Sequence, residues 1–324
     1  MSDFSGRRIS VGIGKETTRG TAAGAAYWLQ HLLIDFLPKS TKIYNISGLG
    51  VLDESNAAEI VKDWAEGKIE GKVTDKAFGL LLLSLFGTDT PTLHAGETAV
   101  YDHVYTETNT NTNQSLTITR KDPNEDYQYA LGMLKQLEIT VVVGDFVKYV
   151  AEFVSKKGST STDTAAYVSE NEFKPKYATL KMAPLVAGLG AATAIPVKSF
   201  KITIEKATDP YFVVGQNDPA DIFNTKFNVK GDFVLRYSDT TYRTAMFSNT
   251  YNAIQLDIKN TDVTVGTATN PELIFTLPRT VLSEWKIDQK LDSMVEQTVG
   301  YQGLFDQVTA KQLTATLTNT VTSY

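Results

Sequence analysis

Apolar and polar residues alternate with a period of two along much of the chain. In Phe227-Asn-Val-Lys-Gly-Asp-Phe-Val-Leu-Arg-Tyr237 the odd positions are Phe, Val, Gly, Phe, Leu and Tyr, and polar residues fill the even ones except Val234. Residues 313–321 carry Thr at every even position, and residues 116–118, 137–143, 147–153, 200–204 and 254–258 read the same way. A strand with one apolar and one polar face belongs in an antiparallel sheet buried on one side. Gly144-Asp145 predicts a hairpin turn between two of these strands. Helices are few. Residues 74–86 predict one, with Thr74 as N-cap, Asp75 in the first turn and Gly87 as the stop. Residues 53–66 predict a second, because Ile60, Val61 and Trp64 fall at helical spacing before Gly67. A third runs from Ser238-Asp239 to Phe247.

The order of elements repeats. Gly67-Lys-Ile-Glu-Gly-Lys-Val leads to Thr74-Asp75 and then Phe78, Leu82, Leu83 and Ser84. Gly231-Asp-Phe-Val-Leu-Arg-Tyr leads to Ser238-Asp239 and then Tyr242, Met246, Phe247 and Ser248, at a constant offset of 164. Residues 100–105, a polar loop and residues 113–119 follow in the first half. Residues 252–259, a polar loop and residues 270–276 follow in the second, at offset 157. Hairpins around Asp145 and Asp292 complete the pattern. This predicts two tandem copies of one β unit, at 31–158 and 197–324. An N-terminal arm (1–30) precedes them, and a linker or arm (159–196), rich in Ser, Thr, Ala and Gly, separates them.

Composition agrees and narrows the chemistry. The 324 residues include 41 Thr, 15 Phe and 15 Tyr, types that suit a pleated, half-buried surface. The 42% hydrophobic content excludes wholesale disorder. A net charge of −6 makes the chain a poor holder of DNA or RNA phosphates. The absence of cysteine removes disulfides, Cys-based zinc sites and thiol catalysis. The longest apolar block, residues 77–86, is half the length of a membrane-spanning helix, and residues 1–8 lack the apolar core of a signal peptide, so the reading expects a soluble chain.

Catalytic patterns are missing. The three histidines, His31, His94 and His103, have no metal-ligand spacing; there is neither a His-Glu-x-x-His nor a Gly-x-Ser-x-Gly motif. Gly12-Ile-Gly14-Lys15 lacks the spacing of a phosphate loop. Asp262 and the pair Asp218 and Asp221 are acids in reach of calcium, but no EF-hand pattern surrounds them and solvated loops are the expectation. The reading is of a protein that is not an enzyme and takes neither cofactor nor metal.

Val11-Gly-Ile-Gly-Lys-Glu-Thr-Thr-Arg-Gly-Thr-Ala-Ala23, followed by Tyr27-Trp28-Leu29, resembles the opening of tail tube (major tail) proteins of long, non-contractile-tailed bacteriophages. Residues 64–71, 80–87, Tyr101-Asp-His-Val-Tyr105 and 231–239 extend the likeness in the same order. The length departs from the family, whose single-copy subunits are nearer half this size, and the duplication accounts for the excess. The resemblance implies antiparallel β-sandwich or barrel units with short flanking helices, whose inner sheets join across subunits into a β-barrel around a lumen. It further implies stacked rings of three chains with pseudo-sixfold symmetry, or of six, in the virion tail after assembly in the host cytoplasm. Tape-measure and tail terminator or tip proteins would be partners, and double-stranded DNA would pass without specific binding. An acidic lumen would let the duplex slide, so lumen residues are expected to be Asp, Glu, Ser, Thr and Asn with few unpaired Lys or Arg. Thr108, Asn109, Asn111, Asn113, Asp262 and Asn270, in polar loops, are the candidates for contacts between rings.

Rival readings are a monomeric β-sandwich carbohydrate-binding or adhesin-like module, a β-rich hydrolase with a carboxylate pair, and the related tube of a contractile tail.

Overall fold

The computed structural model describes residues 3–324. Its first half holds β1 (Ser10–Lys15), β2 (Tyr27–Trp28), β3 (His31–Asn45), β4 (Ala57–Lys72), α1 (Ala77–Phe86), β5 (Gly87–Leu93), β6 (Tyr101–Glu107), β7 (Leu116–Lys121), β8 (Asp126–Val142), β9 (Lys148–Ser155) and β10 (Ser159–Thr160). The second holds β11 (Ala178–Ala183), β12 (Val197–Tyr211), β13 (Asp221–Arg236), α2 (Thr241–Phe247), β14 (Tyr251–Lys259), β15 (Glu272–Asp288), β16 (Glu296–Gly303) and β17 (Thr314–Asn319). The mainly antiparallel β class and the short helices agree with the sequence.

Eight strands form one continuous sheet in the order β3-β4-β9-β8-β12-β13-β16-β15, every neighbour antiparallel. The first four and last four repeat each other in order and length: 15, 16, 8 and 17 residues both times. The irregularities repeat too. The ladder of β3 with β4 skips Leu32 and Val61; that of β12 with β13 skips Lys198 and Thr225 at the matching places. In β8 the shift falls between Leu134 and Gln136, and in β15 between Leu282 and Glu284. A β-bulge adds one residue and bends its strand. The two halves of the sheet therefore share their bulge positions as well as their strand lengths.

β8 and β15 are long because each serves two sheets. Beyond its bulge, β8 pairs with β7 and β10, and β15 pairs with β14 and β17. Bulges at such corners are how strands pass from one sheet of a sandwich to the other. The segments read as arm and linker each supply a six-residue strand here: β1 pairs with β7, and β11 with β14. The hairpin of β5 and β6 has no counterpart in the second half, and its β6 pairs with β17. One hydrophobic cluster runs through both halves, with Phe36, Leu137, Phe153, Ile202, Phe233 and Val299 all at most 1% exposed.

Three expectations change. Residues 57–66 are strand, not helix: the bulge at Val61 breaks the alternation, so Ile60, Val61 and Trp64 mimic helical spacing. α1 starts at Ala77 rather than after Thr74, because Asp75 is engaged by the backbone N–H and side-chain amide of Asn171, and Glu170 accepts from the Ala77 N–H. Gly87 does end the helix, at φ 92°. Finally, residues 113–119 correspond to β14 rather than to 270–276, since the shift between Leu116 and Ile118 recurs between Asn252 and Ile254.

Candidate assembly surface

The eight-stranded sheet is amphipathic. Its inner side is the core; its other side presents charges. Lys68 contacts Glu70 at 2.9 Å and Lys201 contacts Glu138 at 2.8 Å, while Lys230 reaches Glu205 and Lys286 reaches Glu284. Lys230 above all holds the Glu205 carboxyl below its ordinary range, and burial raises that of Asp232. Four lysines of this face are thus each paired with an acid.

Both margins of this sheet are open. Among the described residues, β3 pairs only with β4, and the last part of β15, from Glu284 to Asp288, pairs only with β16. An unpaired row of N–H and C=O groups is a template for another strand. The hairpin of β3 and β4 also projects an apolar tip: Ile46 and Leu49 are 68% exposed and Leu52 is fully so. Exposed apolar clusters of this kind mark contact sites.

The loop residues singled out in the sequence divide into two groups. Asn111 donates its side-chain amide to the Asn224 carbonyl and accepts from the Asn224 N–H, at 2.8 and 2.9 Å. Asn113 is buried. Its amide donates to Leu85 O, capping the end of α1, and its N–H donates to Asn224 Oδ1. Thr108 donates to Asn113 Oδ1, and Asn109 is exposed. This loop therefore ties the first copy to β13. In the other loop, Asp262 accepts from Tyr177, Lys176 and Lys174, which hold its carboxyl far below the usual range. Asn270 donates to Val263 O at 2.7 Å. Asp221 pairs with Arg19, and Asp218 with Lys156. Among the described residues, no group of three or more His, Asp or Glu is placed to hold a metal ion.

Sequence reading missed the two sheet margins and the hairpin tip. The alternation of Asp35, Leu37 and Lys39, and of Glu284, Lys286 and Asp288, was the available signal. It was obscured at β3 by Pro38 and at β15 by the bulge at Ser283.

An amphipathic antiparallel sheet with two open margins is a structural β architecture whose strand edges can pair with another chain. A family model described as phage tail tube protein matches residues 6–303, and the chain belongs to that family. No curated protein matches the chain. The family is structural, and the assignment does not favour a carbohydrate-binding or adhesin-like module.

Proposed function

We propose that this tail tube protein closes head-to-tail into rings that stack around a lumen through which the genome passes. The observation that carries the reading is the pair of open margins on one amphipathic sheet. Joining β15 of one chain to β3 of the next satisfies both rows of backbone groups, and a rotation that closes turns head-to-tail contacts into a ring. With two copies per chain, three chains give pseudo-sixfold symmetry and a barrel of 24 strands, eight from each. The charged face then lines the lumen, where lysines already paired with acids offer the duplex little grip. Loops bearing Thr108, Asn109, Asn111, Asp262 and Asn270 meet the adjacent ring, with Asn113 anchoring the first of them from inside. The apolar hairpin tip adds surface that assembly covers. Tape-measure and terminator proteins meet the same tube in the virion tail, assembled in the host cytoplasm.

Negative-stain microscopy of purified protein at high concentration tests this, with the mass of the isolated ring deciding between three and six chains. Rings or tubes support it, and persistent monomers refute it.

A further inference from the structure

The repeat also specifies how neighbouring chains join, a step that rests on the ring reading above. Inside the chain, β8 and β12 already join the two copies: Glu205 faces Gln136, Ile204 faces Leu137, Thr203 faces Glu138 and Ile202 faces Ile139. Matching bulges and ladders equate β12 with β3 at a separation of 166 residues, and β15 with β8 at 148. Carried to the outer margins, the same joint sets Lys39 opposite Glu284, Pro38 opposite Trp285, Leu37 opposite Lys286 and Phe36 opposite Ile287.

The charges at these places fit each other with signs exchanged. Lys201 and Glu138 bridge diagonally at 2.8 Å within the chain; their counterparts are Asp35 and Lys286. Glu205 and Gln136 become Lys39 and Glu284, an opposed ion pair. On the core side Leu137, Ile139, Ile202 and Ile204 are fully or nearly fully buried, whereas Trp285 and Ile287 are only half-buried and Pro38 is exposed. Asp35 would face Asp288, but each has a lysine beside it: Lys68 across the β3–β4 ladder and Lys290 at 2.7 Å. Pro38 leaves one ladder donor out and no more.

We propose that a second copy of this chain adds its β3 to β15 in this register, the only two strand margins the sheet leaves open among the described residues, with Lys39 set against Glu284 and Asp35 diagonal to Lys286.

Because the chain has no cysteine, an introduced pair reports the joint directly. Opposed residues of an antiparallel pair have Cα atoms about 4.5–5.5 Å apart, within the disulfide range of roughly 4.4–6.8 Å. Full-length protein carrying Leu37→Cys and Lys286→Cys, assembled at high concentration and oxidised, is expected to give covalent multimers on non-reducing gels. The pair Leu33→Cys and Lys286→Cys, about 13 Å out of register, is expected to stay monomeric. Lys286→Glu should raise the concentration needed for rings roughly tenfold, and adding Asp35→Lys should recover most of that loss. Tubes that form without the first cross-link, or with both equally, overturn the register while leaving the ring reading intact. No recovery in the double variant overturns the pairing of Asp35 with Lys286 across the joint, and wild-type protein that forms no rings overturns ring and register together.

Discussion

Arg19 donates from Nε to Asp221 Oδ1 at 2.8 Å, across 202 residues of chain. Its other nitrogens donate to the carbonyls of Asn113 and Ile222 at 2.8 and 2.5 Å. Three residues earlier, buried Glu16 accepts from the N–H groups of Gly20 and Leu131 and from the hydroxyls of Ser115 and Thr117. The Gly-Lys-Glu-Thr-Thr-Arg-Gly stretch is thus a clasp. Glu16 fastens it to the first copy, and Arg19 reaches to the start of β13 in the second. Arg19→Ala is expected to cost about 2–3 kcal/mol of stability, since it strands acceptors at a partly buried joint. Arg19→Lys should not rescue it, because an ammonium lacks the planar fork. Thermal unfolding of the two variants checks both points.

Gly67 and Gly231 occupy equivalent ladder positions in the two halves of the sheet, opposite Phe36 and Ile202. A Cβ on Gly67, at φ 151°, would lie 1.8 Å from Asp35 O, and one on Gly231 would lie 2.1 Å from Lys201 O. Asp35 and Lys201 are themselves counterparts, so each β4-type strand passes its β3-type neighbour too closely for a side chain. Either glycine changed to Ala is expected to lose about 2–4 kcal/mol. Similar losses at both sites, measured by denaturant titration, would mark the approach as a property of the repeat.

These glycines also show what was legible in the sequence. The offset of 164 that carries Gly67 onto Gly231 and Thr74 onto Ser238 is visible because strand, turn and helix follow one another without insertion. Farther on the offset drifts, and the β5–β6 hairpin, present only in the first copy, slides residues 113–119 onto the wrong partner. Bulges leave no mark on composition, yet each reverses the face of every residue after it. The period-two signal therefore failed at Val61 and held in residues 227–237. Of the loop residues, polar character located Asn109 on the surface, but it did not separate that residue from Asn113, whose amide is spent on α1.

That distinction is itself testable. Asn113→Ala is expected to lower stability by about 1–3 kcal/mol, because Leu85 O loses its donor in a buried site. Asn109→Arg leaves every internal bond in place. It should preserve the melting temperature and slow polymerisation, read by light scattering, if this loop meets the next ring. Unchanged polymerisation would remove the loop from that contact.

Glu97 joins the β5–β6 hairpin to the loop before β15. It accepts from the N–H groups of Ala268 and Thr267 and from the Thr269 hydroxyl, and these bonds pull its pKa down to about 2. A carboxyl depressed in the folded state contributes fully above its ordinary value near 4.5, and that contribution fades as pH falls toward 2. The stability gap between wild type and Glu97→Gln is therefore expected to be widest above pH 5 and to narrow on acidification. A gap that widens toward pH 2 would contradict the assignment.

The charged face offers a last test: if it lines the lumen as proposed, the pairing of its lysines with acids would weaken its grip on DNA. Lys201 and Lys230 are held by Glu138 and Glu205. Exposed ion pairs contribute about 0–1 kcal/mol, so Glu138→Gln with Glu205→Gln should fold and assemble normally. It frees two lysines per chain on one face, and in a ring those charges repeat around the lumen. Phosphate binding gains with each freed cation and weakens steeply with salt. Tubes of the double variant are expected to retain linear duplex DNA at low ionic strength and release it as salt rises, with wild-type tubes retaining none in a mobility assay. Equal retention by both would mean that this face does not line the channel.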